Sequence, residues 1–370
     1  MKINKILVTG DRDMFSRHHF LFEALASYYE TIDYLPVDHN SILNLNILKN
    51  FVKNIYTKFP LLPIKPASSF RKNHRKYIEQ SCLVEQKIRK SNYTPDLVFQ
   101  LFGMYCPFWQ KYDIPYLHYL DYTMALAKRN WSSWAPFKSQ SEYFLWIDCE
   151  RKAYQNARHL FTYSSCVKSS LIEDYGIESQ NISVVTPSGQ FREPYHGKKS
   201  FGSKQILFNG SHFERKGGDI LLSAFKIVRQ AIPEAKLVIV GNKLPTLEDG
   251  VSSLGYVSWP LEMERLFLET DLVVSPARCE PLGQFLIEAM NYGIPCIVTA
   301  QDGMPEIIEQ QENGIVLEPQ NLNLLASKII NLLSDLDILE KMSKNARSKV
   351  ENQLNWKTIG FKMSQILESL

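Results

Sequence analysis

Two carboxylates, Glu280 and Glu288, stand eight residues apart around the turn Pro281-Leu282-Gly283. Apolar runs flank them: Asp271–Ser275 before and Ile294–Thr299 after. The pattern predicts strand, loop, helix, strand, one βαβ unit whose strands are buried on both faces. Glu280 then lies in a loop beyond the carboxyl end of a strand, where open α/β sheets bind ligands. Gly283 opens the helix and leaves its first N–H groups approachable by an anion. Gln284 and Glu288 are four apart and share a helix face. A glutamate in so apolar a helix is costly to bury unpaired, and a ligand hydroxyl is one partner that would justify it.

A second cluster, Phe208 to Asp219, repeats the plan of strand end, loop and helix start. Arg215 and Lys216 are adjacent cations at that loop, followed by Gly217-Gly218. Cations at a helix start oppose the helix dipole, so an anionic ligand is the better account of them. The glycine pair is expected to keep the backbone open to that anion. A diphosphate leaving group needs such fixed cations, because its charge grows as the bond to it breaks.

The stretch from Asp271 to Gly293 resembles the E-x7-E signature of retaining glycosyltransferases of family 4 (glycosyl transferases group 1). These enzymes have the GT-B fold, an α/β architecture of two Rossmann-like parallel-sheet domains facing each other across a cleft. The family shows Gly-Arg at the earlier strand end and Lys-Gly a few residues on. Lys216-Gly217 match the second part, while Gly210 is followed by Ser211, so Arg215 is expected to replace the missing cation. Gly303-Met304-Pro305-Glu306-Ile307-Ile308 and Asn313-Gly314 resemble two further turns of the family, with Glu306 structural. The resemblance covers Asp148 to Leu370 and is strongest from Phe208 to Pro319.

The resemblance implies roles. Glu280 would hold hydroxyls of a donor sugar, Glu288 the ribose, and Arg215, Lys216 and the Gly283 helix start the diphosphate. Gly210, Ser211, Val257, Leu282 and Gln284 would complete the donor site, with backbone near Val257 and Ser258 reading the base edge. Many retaining GT-B enzymes have a histidine on the transferred sugar. In Ile114 to Thr123 either His118 or Asp121 takes that place, Asp121 being nearer the expected strand end and His118 a candidate core residue. The implied reaction moves a sugar from a nucleotide diphosphate sugar to a hydroxyl of a glycan, lipid-linked or small-molecule acceptor, without metal or other cofactor. A nucleotide-sugar epimerase and a silent sugar-nucleotide-binding subunit are the alternatives.

These loops need sheets to carry them. Strands are expected at Lys5–Thr9, Ile32–Leu35, Asp96–Gln100, Tyr116–Leu120, His159–Tyr163 and Ile182–Thr186. A second set is expected at Gln205–Asn209, Lys236–Val240, Asp271–Ser275, Pro295–Thr299 and Gly314–Leu317, with helical stretches between them. Residues 187–203, rich in Pro, Gly, Ser and charge, read as a linker. The expected division is an acceptor domain over 1–190 and a donor domain over 191–354. The amphipathic end, 355–370, resembles the family's terminal helix that crosses back onto the first domain, with Trp356 at its start.

Composition narrows the rest. The 370 residues are 45% hydrophobic and 22% charged, with a net charge of +3, too small to argue for nucleic acid. MKINKILVTG reads as a first strand and not as a signal peptide. The six cysteines are scattered, against a zinc site or a disulfide framework and for a reducing cytoplasm. Cys279 is expected to pack and not to react. Residues 51–93 carry ten Lys/Arg against two Asp/Glu. They are either a solvated face or a peripheral contact with the inner face of a membrane. The aromatic run Trp131–Trp146 is either an acceptor loop or packing at the domain edge.

Overall fold

The computed structural model describes residues 3–37, 72–91, 93–245, 248–319 and 321–370. Elements run β1 (Lys5–Gly10), α1 (Arg12–Leu25), β2 (Thr31–Pro36), α2 (His74–Lys90), β3 (Leu97–Leu101) and β4 (Tyr116–Leu120). They continue with α3 (Met124–Asn130), α4 (Gln140–Gln155), β5 (His159–Thr162), α5 (Ser165–Glu173) and β6 (Ile182–Val184). The second half holds β7 (Gln205–Asn209), α6 (Gly218–Ala231), β8 (Lys236–Val240), β9 (Val251–Gly255), α7 (Leu261–Glu269), β10 (Leu272–Ser275) and α8 (Gln284–Asn291). It ends with β11 (Cys296–Thr299), α9 (Met304–Ile307), β12 (Gly314–Leu317), α10 (Leu322–Ser334), α11 (Leu336–Asn352) and α12 (Trp356–Ser369).

Two six-stranded sheets result, ordered β2-β1-β3-β4-β5-β6 and β12-β11-β10-β7-β8-β9. Every strand pairing is parallel. β3, β4, β5 and β11 are buried along their whole length, as strands covered by helices on both faces must be. β9 is the strand the pattern misses. It is an edge strand, VSSLG, with alternating exposure and no run of branched apolar residues. The second sheet reverses its order between β7 and β10, which opens a crevice beyond their carboxyl ends. The loops after these two strands are 210–217 and 276–283, the two stretches that carry the charged motifs.

The chain end returns to the first sheet. Asn355 caps α12 through its side chain, and Trp356, 2% exposed, donates its indole N–H to the Gly189 carbonyl at 2.8 Å. Gly360 lies against α1, where an added Cβ would meet the Cβ of Ala24 at 2.8 Å. Lys362 Nζ donates to the Val184 carbonyl at 3.0 Å. Trp356 thereby ties the residues after β6 to the last helix.

Most of the basic segment 51–93, from 51 to 71 and at 92, lies outside the described residues. Its described part is α2, which buries Tyr77, Val84 and Ile88 against the first domain and leaves Arg75, Lys90 and Leu83 exposed. Among the described residues no helix is long and apolar enough to cross a membrane.

Replacing Trp356 tests the return helix. Trp356→Ala is expected to cost about 3–5 kcal/mol of stability through cavity formation and loss of the indole hydrogen bond. Urea denaturation checks this, and a midpoint equal to wild type would mean that α12 does not hold the first domain.

Candidate active site

Glu280 occupies the crevice beyond β10. Its carboxylate Oε2 lies 3.2 Å from Arg215 NH1 and 3.5 Å from Lys216 Nζ, and its side chain is 14% exposed. Burial raises the pKa of this carboxyl, but Lys216 and then Arg215 outweigh it and leave Glu280 below the ordinary range. Burial pulls the Lys216 ammonium the other way, with Glu280 opposing. Two cations thus face one carboxylate.

Arg215 is held more tightly than a phosphate ligand needs to be. Its NH1 also donates to the Cys279 carbonyl, its guanidinium lies 4.8 Å from the Trp134 ring centroid, and the residue is 6% exposed. Both bonds come from NH1, while the buried Nε of the same guanidinium has no hydrogen-bond partner among the described residues. Lys216, like Arg215, has Glu280 as its carboxylate partner among the described residues. Ser211 is exposed, and its N–H turns back to Asn209 Oδ1 at 3.2 Å.

Packing also constrains the glycine pair. Gly217 has φ 75°, and a Cβ there would meet the Pro276 carbonyl oxygen at 2.0 Å. A Cβ on Gly218 would meet the Phe213 ring at 2.4 Å. Close packing and a left-handed turn demand these glycines. Gly210 is buried, with Ile239 Cγ2 at 2.8 Å from an added Cβ. Gly283, at φ 89°, is the N-cap of α8, and no side chain caps that helix.

Glu288, 8% exposed, lies in α8 beside the segment joining the domains. Its Oε1 accepts the Gln190 N–H at 3.1 Å, and an added Cβ on Gly189 would meet its Cγ at 2.6 Å. Burial pushes its carboxyl up to about 7, with the Gln190 bond, Lys216 and Arg17 opposing. Arg17 belongs to α1 of the first domain. It is exposed, and its carbonyl accepts the Gln190 side-chain N–H at 2.8 Å.

Other expected donor contacts are revised. Leu282 is 2% exposed and its side chain packs in the core, leaving only its backbone to meet a ligand. Gln284 spends its amide N–H on the Ser188 carbonyl at 2.8 Å, so it fastens the linker. The Ser258 N–H, expected near a base edge, donates to Glu262 at 2.8 Å. Val257 is half-buried at the core margin, and Trp259 packs against Phe267.

Across the cleft, His118 and Asp121 separate. His118 points into the core. It is 0% exposed, bonds the Phe102 carbonyl through Nδ1 at 3.1 Å, and packs edge-on against Tyr116 and Tyr154. Burial brings its pKa down to about 4, so the ring is neutral. It does not reach the cleft, because alternate residues of a strand face opposite sides. Asp121 follows the last residue of β4 and is half-buried. Burial pushes its carboxyl up to about 7, with Arg17, then hydrogen bonds from the Tyr122 and its own backbone amides, and then Lys72 opposing. Cys279 is fully buried with its thiol pushed up to about 12 by burial, the state of a packing residue.

Contacts from the first domain also land on the Glu280 loop. Tyr122 OH donates to Asp302 Oδ1 at 3.0 Å, and Asn130 Nδ2 donates to the same oxygen at 2.7 Å. Asp302 Oδ2 accepts the Glu280 backbone N–H at 2.8 Å. Glu306 accepts the Ser165 N–H at 2.7 Å and so caps α5 from the other domain. The aromatic run is divided in use: Trp134 stacks on Arg215, whereas Trp146 is 3% exposed and packs the first domain. Arg17, Trp134, Tyr122, Asn130 and Asp302 were not singled out as site residues by sequence, since each acts through partners far away in the chain.

A family model described as glycosyl transferases group 1 matches residues 192–349. The match spans the second sheet and the helices around it. An uncharacterised glycosyltransferase of Methanocaldococcus jannaschii is 30% identical over 57% of this chain and 62% of its own length. A GDP-mannose-dependent monoacylated α-(1-6)-phosphatidylinositol monomannoside mannosyltransferase of Corynebacterium glutamicum is 30% identical over 44% of this chain and 47% of its own. The chain thus spans less than two-thirds of either relative. Among solved structures, sucrose-phosphate synthase from Thermosynechococcus elongatus aligns with a TM-score of 0.71 at 19% identity, covering 99% of this chain and 98% of that one. That likeness shows the fold, and the two-sheet architecture is GT-B.

The raised pKa of Glu288 has a consequence for stability. Between about 4.5 and about 7 the folded protein binds a proton here that the unfolded chain has released. Stability is therefore lost as pH rises through that window, with a limiting slope of about 1.4 kcal/mol per pH unit, and the loss is complete above it. Glu288→Gln is expected to gain stability over wild type as pH rises from 5 to 7.5. Denaturant midpoints across that range check it; a constant difference would mean that Glu288 is not buried as a neutral acid.

Proposed function

We propose that this chain is a cytoplasmic, retaining glycosyltransferase of family 4. It moves a sugar from a nucleoside diphosphate sugar to a hydroxyl acceptor without a metal ion. The observation that carries the reading is Glu280 held beside Lys216 and Arg215 at the switch point of the second sheet, with Glu288 further along the same helix-bearing segment. The group 1 match over residues 192–349 supports the donor side of this reading.

In this reading Lys216 and the uncapped start of α8 meet the diphosphate charge that a metal would otherwise neutralise. Glu288 takes ribose hydroxyls, and Glu280 takes hydroxyls of the transferred sugar. The bond between the sugar's anomeric carbon and the phosphate oxygen breaks as the acceptor oxygen bonds to that carbon from the same face. The acceptor's proton passes to the departing phosphate oxygen. Asp121 faces the sugar from the first domain, and near neutral pH its protonated fraction can donate to a sugar hydroxyl. Positioning and electrostatics supply most of the rate. Docking of 51–93 on an anionic membrane would bring a lipid-linked acceptor to the cleft. Vesicle pelleting that fades with salt supports it, and salt-independent or absent binding opposes it.

Calorimetry with UDP, GDP and ADP tests the donor site directly. Lys216→Ala is expected to weaken binding of the preferred nucleotide by about ten- to a hundredfold, the loss of a charge-assisted bond worth roughly 1.5–3 kcal/mol. Arg215→Ala is expected to lower thermal stability as well, because it strips Glu280 and Trp134 of a buried partner. Unchanged affinity in Lys216→Ala would remove this cation from the donor site.

The two glutamates are expected to divide the work. Glu288→Ala should weaken nucleoside diphosphate and intact donor alike. Glu280→Gln should spare nucleotide affinity and slow single-turnover transfer, since its charge acts on a cation-like sugar in the transition state. Equal loss of nucleotide affinity in both variants contradicts this division. Incubating donor without acceptor separates transfer from epimerisation.

A further inference from the structure

Asp302 sits where the two domains touch, in a left-handed conformation with φ 51°. Aspartate tolerates that region better than most residues, yet it still costs backbone energy, and such positions persist where the surroundings over-determine them. The surroundings here are specific. Oδ2 accepts the backbone N–H of Glu280 at 2.8 Å. Oδ1 accepts from Tyr122 OH at 3.0 Å and from Asn130 Nδ2 at 2.7 Å, both in the first domain, and from Gln301 Nε2 at 3.2 Å. Asn130 Nδ2 also donates to Tyr122 OH at 2.8 Å, which closes the triangle.

The same patch of the first domain reaches the Glu280 loop by two more routes. Tyr122 OH lies 3.7 Å from Cys279 Sγ, the residue before Glu280. Trp134, edge-on to Tyr122 at 5.8 Å, stacks on Arg215, whose NH1 holds the Glu280 carboxylate. A Cβ on Gly303 would meet the Pro281 carbonyl oxygen at 2.4 Å, so the backbone after Asp302 lies directly against the backbone after Glu280.

We propose that Asp302 is a positioning residue that makes the setting of Glu280 depend on contact with the first domain. One carboxylate oxygen reads whether Tyr122 and Asn130 are present, and the other holds the Glu280 amide. When the domains part, Oδ1 loses its two first-domain donors and the strained conformation loses its support. The Glu280 loop is then freed. A donor bound to the second domain alone would meet an unset Glu280, which ties the sugar-holding carboxylate to the presence of the acceptor-side domain. That Glu280 acts on a donor sugar rests on the glycosyl-transfer reading above; the coupling between Tyr122, Asn130, Asp302 and the Glu280 amide does not.

Amide hydrogen exchange at Glu280 tests the coupling on the full chain without any ligand. Tyr122→Phe combined with Asn130→Ala removes the first-domain donors and touches neither Glu280 nor its amide. It is expected to speed exchange at Glu280 about three- to tenfold, the scale of one lost hydrogen bond. Asp302→Ala is expected to speed it at least as much, and adding it to the double variant should bring little further change. Asp302→Asn keeps an acceptor for the amide and should restore part of the protection. Unchanged Glu280 exchange in Tyr122→Phe/Asn130→Ala, or full additivity with Asp302→Ala, overturns the proposal and leaves Asp302 a local loop tie. Because no donor enters the measurement, loss of the glycosyl-transfer reading would leave this result standing.

Discussion

One carboxylate buried beside two cations sets the terms for this site. Removing charges from water costs several kcal/mol per ion, and the cost is recovered only through close, well-directed partners. Glu280 has such partners in Arg215 and Lys216, but the balance leaves an excess of positive charge in a half-closed crevice. Arg215 is further spent on the Cys279 carbonyl and the Trp134 face. Lys216 and the start of α8, which no side chain caps, add positive charge beside Glu280. One carboxylate therefore faces two cations here, and the buried Arg215 Nε is left without a hydrogen-bond partner among the described residues.

The seam between the domains follows from the same requirement. Glu288 is framed by Gly189 and Gln190, Gln284 holds Ser188, and Trp356 holds Gly189. The linker is therefore not slack: its first residues pack against Glu288 and are fixed by the terminal helix. On the opposite flank Tyr122, Asn130 and Trp134 reach the Glu280 loop, and Glu306 caps α5. Each contact joins a group near the charged cluster to the other domain, so the geometry of the cluster is a property of the pair of domains.

Much of this was legible in the sequence because it is local. Buried parallel strands announce themselves as apolar runs, and all the described strands except β9 were found that way. β9 escaped because an edge strand with serines on its open side carries no such run. Glu280, Glu288 and Lys216 were legible because strand, loop and helix follow within a few residues. Side-chain direction was not. His118 and Asp121 are three residues apart, yet one is fully buried in the core and the other is half-buried just past the strand end. Gln284 and Leu282 lie where expected, but their partners are backbone and core. Asp302, Tyr122 and Asn130 were beyond reach, since their meaning arises from pairs separated by more than 170 residues.

The claim on which the rest depends is that the positive charge around Lys216 is the seat of a nucleoside diphosphate. A crystal structure of the full chain with the nucleoside diphosphate it binds most tightly addresses that claim most directly. The expected result has diphosphate oxygens within hydrogen-bond distance of Lys216 Nζ and the first amides of α8, the ribose hydroxyls on Glu288, and Arg215 still on Glu280. A nucleotide seated elsewhere, with Lys216 and Glu280 paired as they are without it, would contradict the account.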